Sequence, residues 1–341
     1  MPIINIKNIE NSKIFLRVDF DVPIINKIVQ TDYRIKRCLP TINSLLNQNN
    51  TLVLFTKVGR PEGFNDNLST KHIIKILEHN LNTKINFENN IDKIEKCFLH
   101  NITLFENTRF YDWENKQNPE FNRRIANFFD YYVDEAFAVS HREETSNFYI
   151  PQKINKIAMG LNYLNEIDYL TKLRNGNFEN PGIFILGGAK AETKIPMIEK
   201  IRSKFNYIIV GGKLVKEKQI VTLKQQINNL LLLKLNDTGF DIDTSSIEVI
   251  KSAIKIAKTV VWNGPLGKFE DSEGCISTIE MLKFFADRKQ GLTIAGGGDT
   301  ISAIEKYGEY NSFSFISTGG GAMFSYLGGN ATNIEKILLK I

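Results

Sequence analysis

Five arginines stand where short apolar runs give way to polar loops: Arg17 in R-V-D-F-D-V-P, Arg34 in Y-R-I-K, Arg60 in T-K-V-G-R-P, Arg109 in F-E-N-T-R-F and Arg142 in S-H-R-E-E-T-S. The guanidinium fork matches the oxygens of carboxylate and phosphate, so the set points to a small, multiply anionic ligand. One arginine so placed is usually a surface charge or half of an ion pair. The recurrence carries the reading. Arg17, alternating with apolar neighbours inside its run, reads as structural, with Asp19 orienting it or a loop amide.

The second half of the chain puts glycine in the same places: L-G-G-A-K (186–190), V-G-G-K (210–213), W-N-G-P-L-G (262–267), A-G-G-G-D-T (295–300) and S-T-G-G-G-A (317–322). Without a Cβ the backbone can approach a phosphate, and its N–H groups with the following helix N-terminus favour negative charge. Five such loops in one half exceed what turn chemistry needs and read as a nucleotide surface. Asp299 and Thr300 would cap the helix after their glycines, and Asp299 would also stand beside a polyphosphate, where a carboxylate can hold Mg²⁺ directly or through water. Lys190 and Lys194, just ahead of Pro196, would project at a helix entrance and suit a transferring phosphoryl group. Neither G-x-x-x-x-G-K-[ST] nor a well-placed G-x-G-x-x-G is present, which counts against a P-loop enzyme and a dinucleotide dehydrogenase.

These loops need strands to hold them. Short β-branched runs recur at 14–20, 51–56, 102–105 and 131–133, then at 183–186, 207–210, 259–262, 292–295 and 313–316, and stretches of helical spacing such as 70–78, 165–174 and 280–288 follow or separate them. The alternation predicts α/β architecture with parallel sheets covered on both faces. A length of 341 residues favours two domains, with the break near 149–162, where Pro151 and polar residues follow the last strand of the first half.

Composition narrows the function classes. Hydrophobic residues at 42% and charged ones at 24% describe a folded globular chain. Three scattered cysteines suggest neither a disulfide framework nor a zinc site. The net charge of +5 is not gathered into a basic tail, so nucleic acid is not the expected partner. The longest apolar run is too short to span a bilayer and residues 1–13 lack a secretion signal, so no membrane is expected either, and the protein is expected in the cytoplasm.

In this order the motifs resemble phosphoglycerate kinase over nearly the whole chain: R-V-D-F-D-V-P, G-R-P, E-N-T-R-F, H-R, G-G-A-K, W-N-G-P, G-G-G-D-T and S-T-G-G-G-A. The resemblance implies two Rossmann-like three-layer (α/β/α) domains with parallel sheets joined by a hinge. It places the acid substrate on residues 1–157, with a tail of about 325–341 packing back, and Mg-nucleotide on 158–324. It implies a cytoplasmic monomer that moves a phosphoryl group reversibly between 1,3-bisphosphoglycerate and ADP, giving 3-phosphoglycerate and ATP in glycolysis, with Mg²⁺ accompanying the nucleotide.

The resemblance also implies roles. Asp19, Phe20, Asp21, Lys57, Val58 and Gly59 would surround the glycerate, Arg34 would bind its carboxyl or acyl phosphate, and Arg60, Arg109 and Arg142 would hold the distant 3-phosphate. Lys190 and Lys194 would contact the nucleotide phosphates and the moving group, Asp299 would position the metal and Glu270 would accept from the ribose. Gly188, Ala189, Gly211, Gly212, Gly239, Phe240, Asn263, Pro265, Gly297, Gly298 and Thr300 would line the nucleotide slot. The amides of 319–321, Gly320 among them, would face the transferring phosphate.

Three departures stand out. Lys57 replaces the family's usual histidine and Asp21 its usual asparagine; the two exchanges would compensate if Lys57 paired with Asp21. Between V-G-G-K and T-G-F-D only 214–237 remains, several tens of residues shorter than usual, and D-I-G-P-K is blurred to Asp241-Ile242-Asp243-Thr244-Ser245. A second reading is a non-catalytic paralogue that still binds phosphates; retention of Arg34, Lys190, Lys194 and Asp299 together argues against it. An NAD-linked dehydrogenase lacks both the fingerprint and a poised histidine, since His141 beside Arg142 suits anion contact.

Overall fold

The computed structural model describes residues 4–188 and 191–339, so Ala189 and Lys190 lie outside the described residues. Two compact units form, one from residues 1–167 with 331–341 and the other from residues 168–330.

The first unit is built on β1 (Lys13–Arg17), a small hairpin of β2 (Ile24–Ile25) and β3 (Ile28–Val29), α1 (Tyr33–Leu46), β4 (Thr51–Phe55), α2 (Ile74–Leu81), β5 (Asn86–Glu88), β6 (Ile102–Phe105), α3 (Pro119–Ala126), β7 (Tyr131–Asp134) and β8 (Ile157–Met159). Its sheet runs β5-β6-β4-β1-β7-β8 with every pairing parallel. Helix α4 (Leu161–Asn175) begins in this unit and continues into the second. There follow β9 (Gly182–Leu186), α5 (Ile195–Ile201), β10 (Tyr207–Val210), α6 (Lys218–Gln226), β11 (Leu230–Leu232), α7 (Thr244–Ile256), β12 (Thr259–Asn263), α8 (Ile276–Asp287), β13 (Leu292–Gly296), α9 (Gly298–Tyr307), β14 (Phe315–Ser317) and α10 (Gly320–Leu327), and α11 (Asn333–Leu339) belongs to the first unit again. The second sheet runs β11-β10-β9-β12-β13-β14, also parallel throughout.

The central strands are buried over nearly their whole length, β6, β9 and β12 without exception, as expected where helices cover both faces. The predicted break at 157/158 would cut through β8, which pairs with β7 through Tyr132–Ile157, Val133–Ala158 and Asp134–Met159. The contacts divide the chain ten residues later, inside α4. In both sheets the chain leaves a central strand, builds outward on one side and returns to the other, β1 lying between β4 and β7 and β9 between β10 and β12. Loops at the carboxyl ends of such strands splay apart and leave a crevice for a ligand.

Candidate functional site

At the carboxyl end of β1, the chain turns through Asp19, Phe20 and Asp21. Arg34, in the first turn of α1, donates to Asp19 Oδ2 at 2.5 Å, and the pair is only 17% and 6% exposed. Burial works to lower the Arg34 pKa, but Asp19 and then Asp21 overcome it and hold the guanidinium above its ordinary value. Asp21 also faces the other side. Its Oδ1 accepts the Gly59 N–H at 2.8 Å, while Arg109 donates to the Gly59 carbonyl, so one residue of the V-G-R-P loop is gripped through both of its backbone polar groups. Gly59 has φ +63°, the left-handed region, which sets the angle between its two flanking peptides.

Asn107 secures the same loop from the β6 side, accepting from Val58 N at 3.1 Å and donating to Val58 O at 2.8 Å and Leu68 O at 3.0 Å. Arg109 then lies among like charges. Burial lowers its pKa, Asp21 and Glu144 oppose, and Arg142 and Arg60 lower it further, so these three arginines share one electrostatic patch. A run of charge results, from Arg34 through Asp19 and Asp21 to Arg109, Arg60 and Arg142. Held by hydrogen bonds at Arg34, Asp21 and Arg109, it can take a ligand anionic at both ends.

Lys57 does not pair with Asp21, which corrects the expected compensation. Its ammonium is 3% exposed and donates to both oxygens of Glu144 at 2.9 and 2.8 Å. Burial lowers Lys57 to about 8, Glu144 opposing and Arg17 adding to the fall. Burial likewise works against the Glu144 carboxylate, but Lys57 holds it below its usual value. Asp21 is already satisfied by the Gly59 amide, and the lysine reaches inward instead. Beneath it Arg17, fully buried, donates to Val18 O at 2.8 Å, Phe55 O at 3.1 Å and Ser146 Oγ at 3.1 Å, and Ser146 in turn donates to Glu114 at 2.7 Å. Burial pushes Glu114 up to about 7. Arg17 therefore braces the floor of the site from below.

Phe20 and Val58 are a second correction: both are 0% exposed, with their N–H groups used within the loops, so they shape the site from the core rather than line it. His141 is half-buried, its Nδ1 without a partner, and burial followed by Arg142 lowers it to about 4, so it is neutral at physiological pH. The loop carrying it is held by α11: Asn333 donates to Ser140 O at 2.8 Å and Arg142 O at 2.5 Å, and Lys336 pairs with Glu143 at 2.7 Å.

The second unit has a cleft of about 170 Å³ at the carboxyl end of its sheet. Of the anticipated residues, Gly188, Gly212, Gly239, Phe240, Pro265, Glu270 and Asp299 line it together. Lys213, Gly267, Lys268 and Phe269 line it as well; the last three run directly into Glu270, and their adjacency to it is the signal in the sequence that marks them. The loops after β9 and β12 touch backbone to backbone, Gly187 N donating to Asn263 O and Gly188 N to Pro265 O, each at 2.9 Å. A Cβ on Gly187 would run into the Pro265 carbonyl, and one on Gly264 into the Gly187 backbone. Only glycine permits that approach.

Several expected contacts lie behind the cleft wall. Thr300 is fully buried and its Oγ accepts the Gly264 N–H at 2.7 Å; Asn263 is 4% exposed with its Nδ2 on the Met323 sulfur; Gly211 packs against Leu266. They position the loops. Lys194 caps α5, which starts at Ile195 rather than at Pro196, and is folded inward at 5% exposure with Nζ on Gly187 O at 2.5 Å. Gly297 and Gly298 open α9 and Gly320 opens α10; a Cβ on Gly320 would stand 3.1 Å from the Gly297 Cα, so the two helix N-termini converge there and favour negative charge. The blurred D-I-D-T-S segment does structural duty: Asp241 accepts from Ser277 and Ile242, and Asp243 caps α7 through Ser246 N at 2.7 Å.

Among the described residues no three His, Cys, Asp or Glu gather as a metal cage. Asp299, exposed in the first turn of α9, fits the other common arrangement, in which Mg²⁺ takes one carboxylate, waters and substrate phosphates. No helix among the described residues is long and apolar enough to cross a membrane.

The phosphoglycerate kinase family model matches residues 4–229 and 215–330, two stretches that meet within the shortened segment. The chain is 31% identical over 375 residues to the phosphoglycerate kinase of Dictyoglomus turgidum, covering 95% of this chain and 94% of that one. It is 32% identical to that of the Wolbachia of Brugia malayi, with 96% of each covered. Among solved structures, the phosphoglycerate kinase of Coxiella burnetii superposes with a TM-score of 0.81 at 26% identity over 99% of both chains, and that of Pyrococcus horikoshii with 0.83 at 25% over 97% of both.

Proposed function

Because the chain belongs to the phosphoglycerate kinase family, we propose that its first unit carries the acid substrate and its second the nucleotide. The activity is reversible phosphoryl transfer from 1,3-bisphosphoglycerate to ADP, giving 3-phosphoglycerate and ATP.

The observation that carries the division of labour is the run of charge in the first unit, with Asp21 facing Arg34 on one side and Arg109 on the other. Arg60, Arg109 and Arg142 take the 3-phosphate, and Arg34, oriented by Asp19, takes the carboxyl or acyl phosphate. Phosphoryl transfer needs no protein nucleophile; it needs in-line placement and positive charge around the moving oxygens. Arg34 supplies that charge from the acid side. Lys190, Lys194 and the converging N-termini at Gly297–Gly298 and Gly320 supply it from the nucleotide side.

Glu270 accepts from the ribose, and Asp299 meets the Mg²⁺ that arrives with the nucleotide; bound there, the ion offsets phosphate charge. We further take the protein to be a cytoplasmic monomer whose two ligands are brought into line by a hinge motion that excludes water. Titration of 3-phosphoglycerate by calorimetry tests the assignment. Arg109→Ala should weaken it at least tenfold while leaving MgADP affinity within twofold, by the strength of a charged hydrogen bond. Equal loss of both ligands would overturn the division.

A further inference from the structure

The cleft of the second unit has a direction. Asp299 stands at the start of α9, whereas Lys306 Nζ donates to Glu270 O at 3.3 Å and the Tyr307 hydroxyl to Phe269 O at 3.0 Å. Seven or eight residues of helix separate the two ends, about 11 Å at 1.5 Å per residue. Groups suited to phosphate crowd the Asp299 end. The other end holds Glu270, Phe240 and Lys268.

Phe240 leaves 42% of its surface exposed on the cleft, an apolar face for a flat base. Lys268 is tied to it: its N–H donates to Phe240 O at 2.8 Å and its ammonium stands 5.5 Å from the ring centroid. Asp271 holds that ammonium at 2.6 Å and keeps it charged, yet Asp271 does not line the cleft. The ammonium beside the ring offers donors only, and the carboxylate that lines the cleft at this end, Glu270, is the one assigned to the ribose.

An ammonium distinguishes purines by their edges. Guanine presents two acceptors, O6 and N7, where adenine presents N7 beside a donor amino group, and lysine pairs well only with the former. We propose that Lys268 is a specificity-determining residue that reads the base edge and biases this site toward 6-keto purine nucleotides over adenine ones. The proposal rests on the reading of this cleft as the nucleotide site and deepens it.

Calorimetric titration of the full chain with MgADP, MgGDP and MgIDP, for the wild type, Lys268→Met and Lys268→Arg, tests it. IDP carries the 6-keto group without the 2-amino group and so isolates the contact. GDP and IDP should bind about five- to tenfold tighter than ADP, Lys268→Met should bring the three together by weakening the keto nucleotides, and Lys268→Arg should keep the ratio. Tighter ADP than GDP in the wild type, or equal loss of all three in Lys268→Met, would overturn it while leaving the nucleotide site standing. No binding of any nucleotide by the wild type would overturn both.

Discussion

Arg34 does its work in a fixed pose, because Asp19 holds one arm of its guanidinium and so sets the plane of the fork. Lysine in its place would keep the charge and lose the fork. Arg34→Lys should lower kcat/KM about 100-fold in steady-state assays with either substrate varied, mostly through kcat, as when one transition-state donor is removed. A loss confined to KM for the acid would make Arg34 only a binding group. Lys57 gives a pH prediction. With its pKa lowered to about 8, the ammonium is present below that pH and lost above it, leaving the Glu144 charge to the more distant Arg142, at 3.8 Å, so that it competes with the anion for that arginine. The KM for 3-phosphoglycerate should therefore rise as pH climbs from 7 through 9, and Lys57→Arg, which stays charged, should flatten the rise. A wild-type KM that does not change over that range would refute the link. The arginines were legible from their motifs. Glu144 was not, because nothing in S-H-R-E-E-T-S marks which carboxylate turns inward, and two departures from the family pattern invited a pairing that backbone hydrogen bonds pre-empt.

Helix α4 shows why element ends are harder to read than elements. The spacing predicts a helix from 165, yet it starts at Leu161, because its first N–H groups are met from far along the chain: Asn162 N and Tyr163 N donate to Glu135 at 3.0 and 3.1 Å, and Leu161 N to Thr41 Oγ at 2.8 Å, which itself donates to Glu135 at 2.9 Å. No local cap announces the start. Glu135→Ala should cost about 1–3 kcal/mol in urea unfolding, the usual cost of orphaned buried donors. Burial raises the Glu135 carboxyl to about 8 from an ordinary 4.5, so the folded form holds the proton more tightly. Its stabilising contribution is then full below about pH 4.5 and is lost as pH rises through 8. Glu135→Gln should flatten the pH dependence of stability across that window; an unchanged profile would assign the titration elsewhere. The edge strands β5, β8 and β11 escaped sequence reading for a related reason. Each has only three residues, and at that length an apolar run such as the four leucines around β11 gives no periodicity that separates strand from helix.

At the scale of the whole molecule, two parallel sheets each place their ligand groups at the strand ends, but by different means. The first unit grips through charged side chains, the second through backbone that only glycine allows. Gly187→Ala should accordingly separate the β9 and β12 loops and weaken MgADP at least tenfold with 3-phosphoglycerate binding kept, which calorimetry on both ligands would show. Loss of neither would mean that the loops can part without consequence. This plan was visible in the motifs, as was the shortened segment at 214–237; that α6 and β11 still fill it, completing the sheet edge, was not, since the family pattern offers no guide there. Catalytic transfer between the two ligands is measured by a coupled assay of ATP formation from 1,3-bisphosphoglycerate and MgADP. The wild type should turn over, and Arg34→Ala and Lys194→Ala should each reduce the rate by at least 100-fold; binding of both ligands by the wild type with no ATP formed would rule out a phosphoglycerate kinase at this pair of sites.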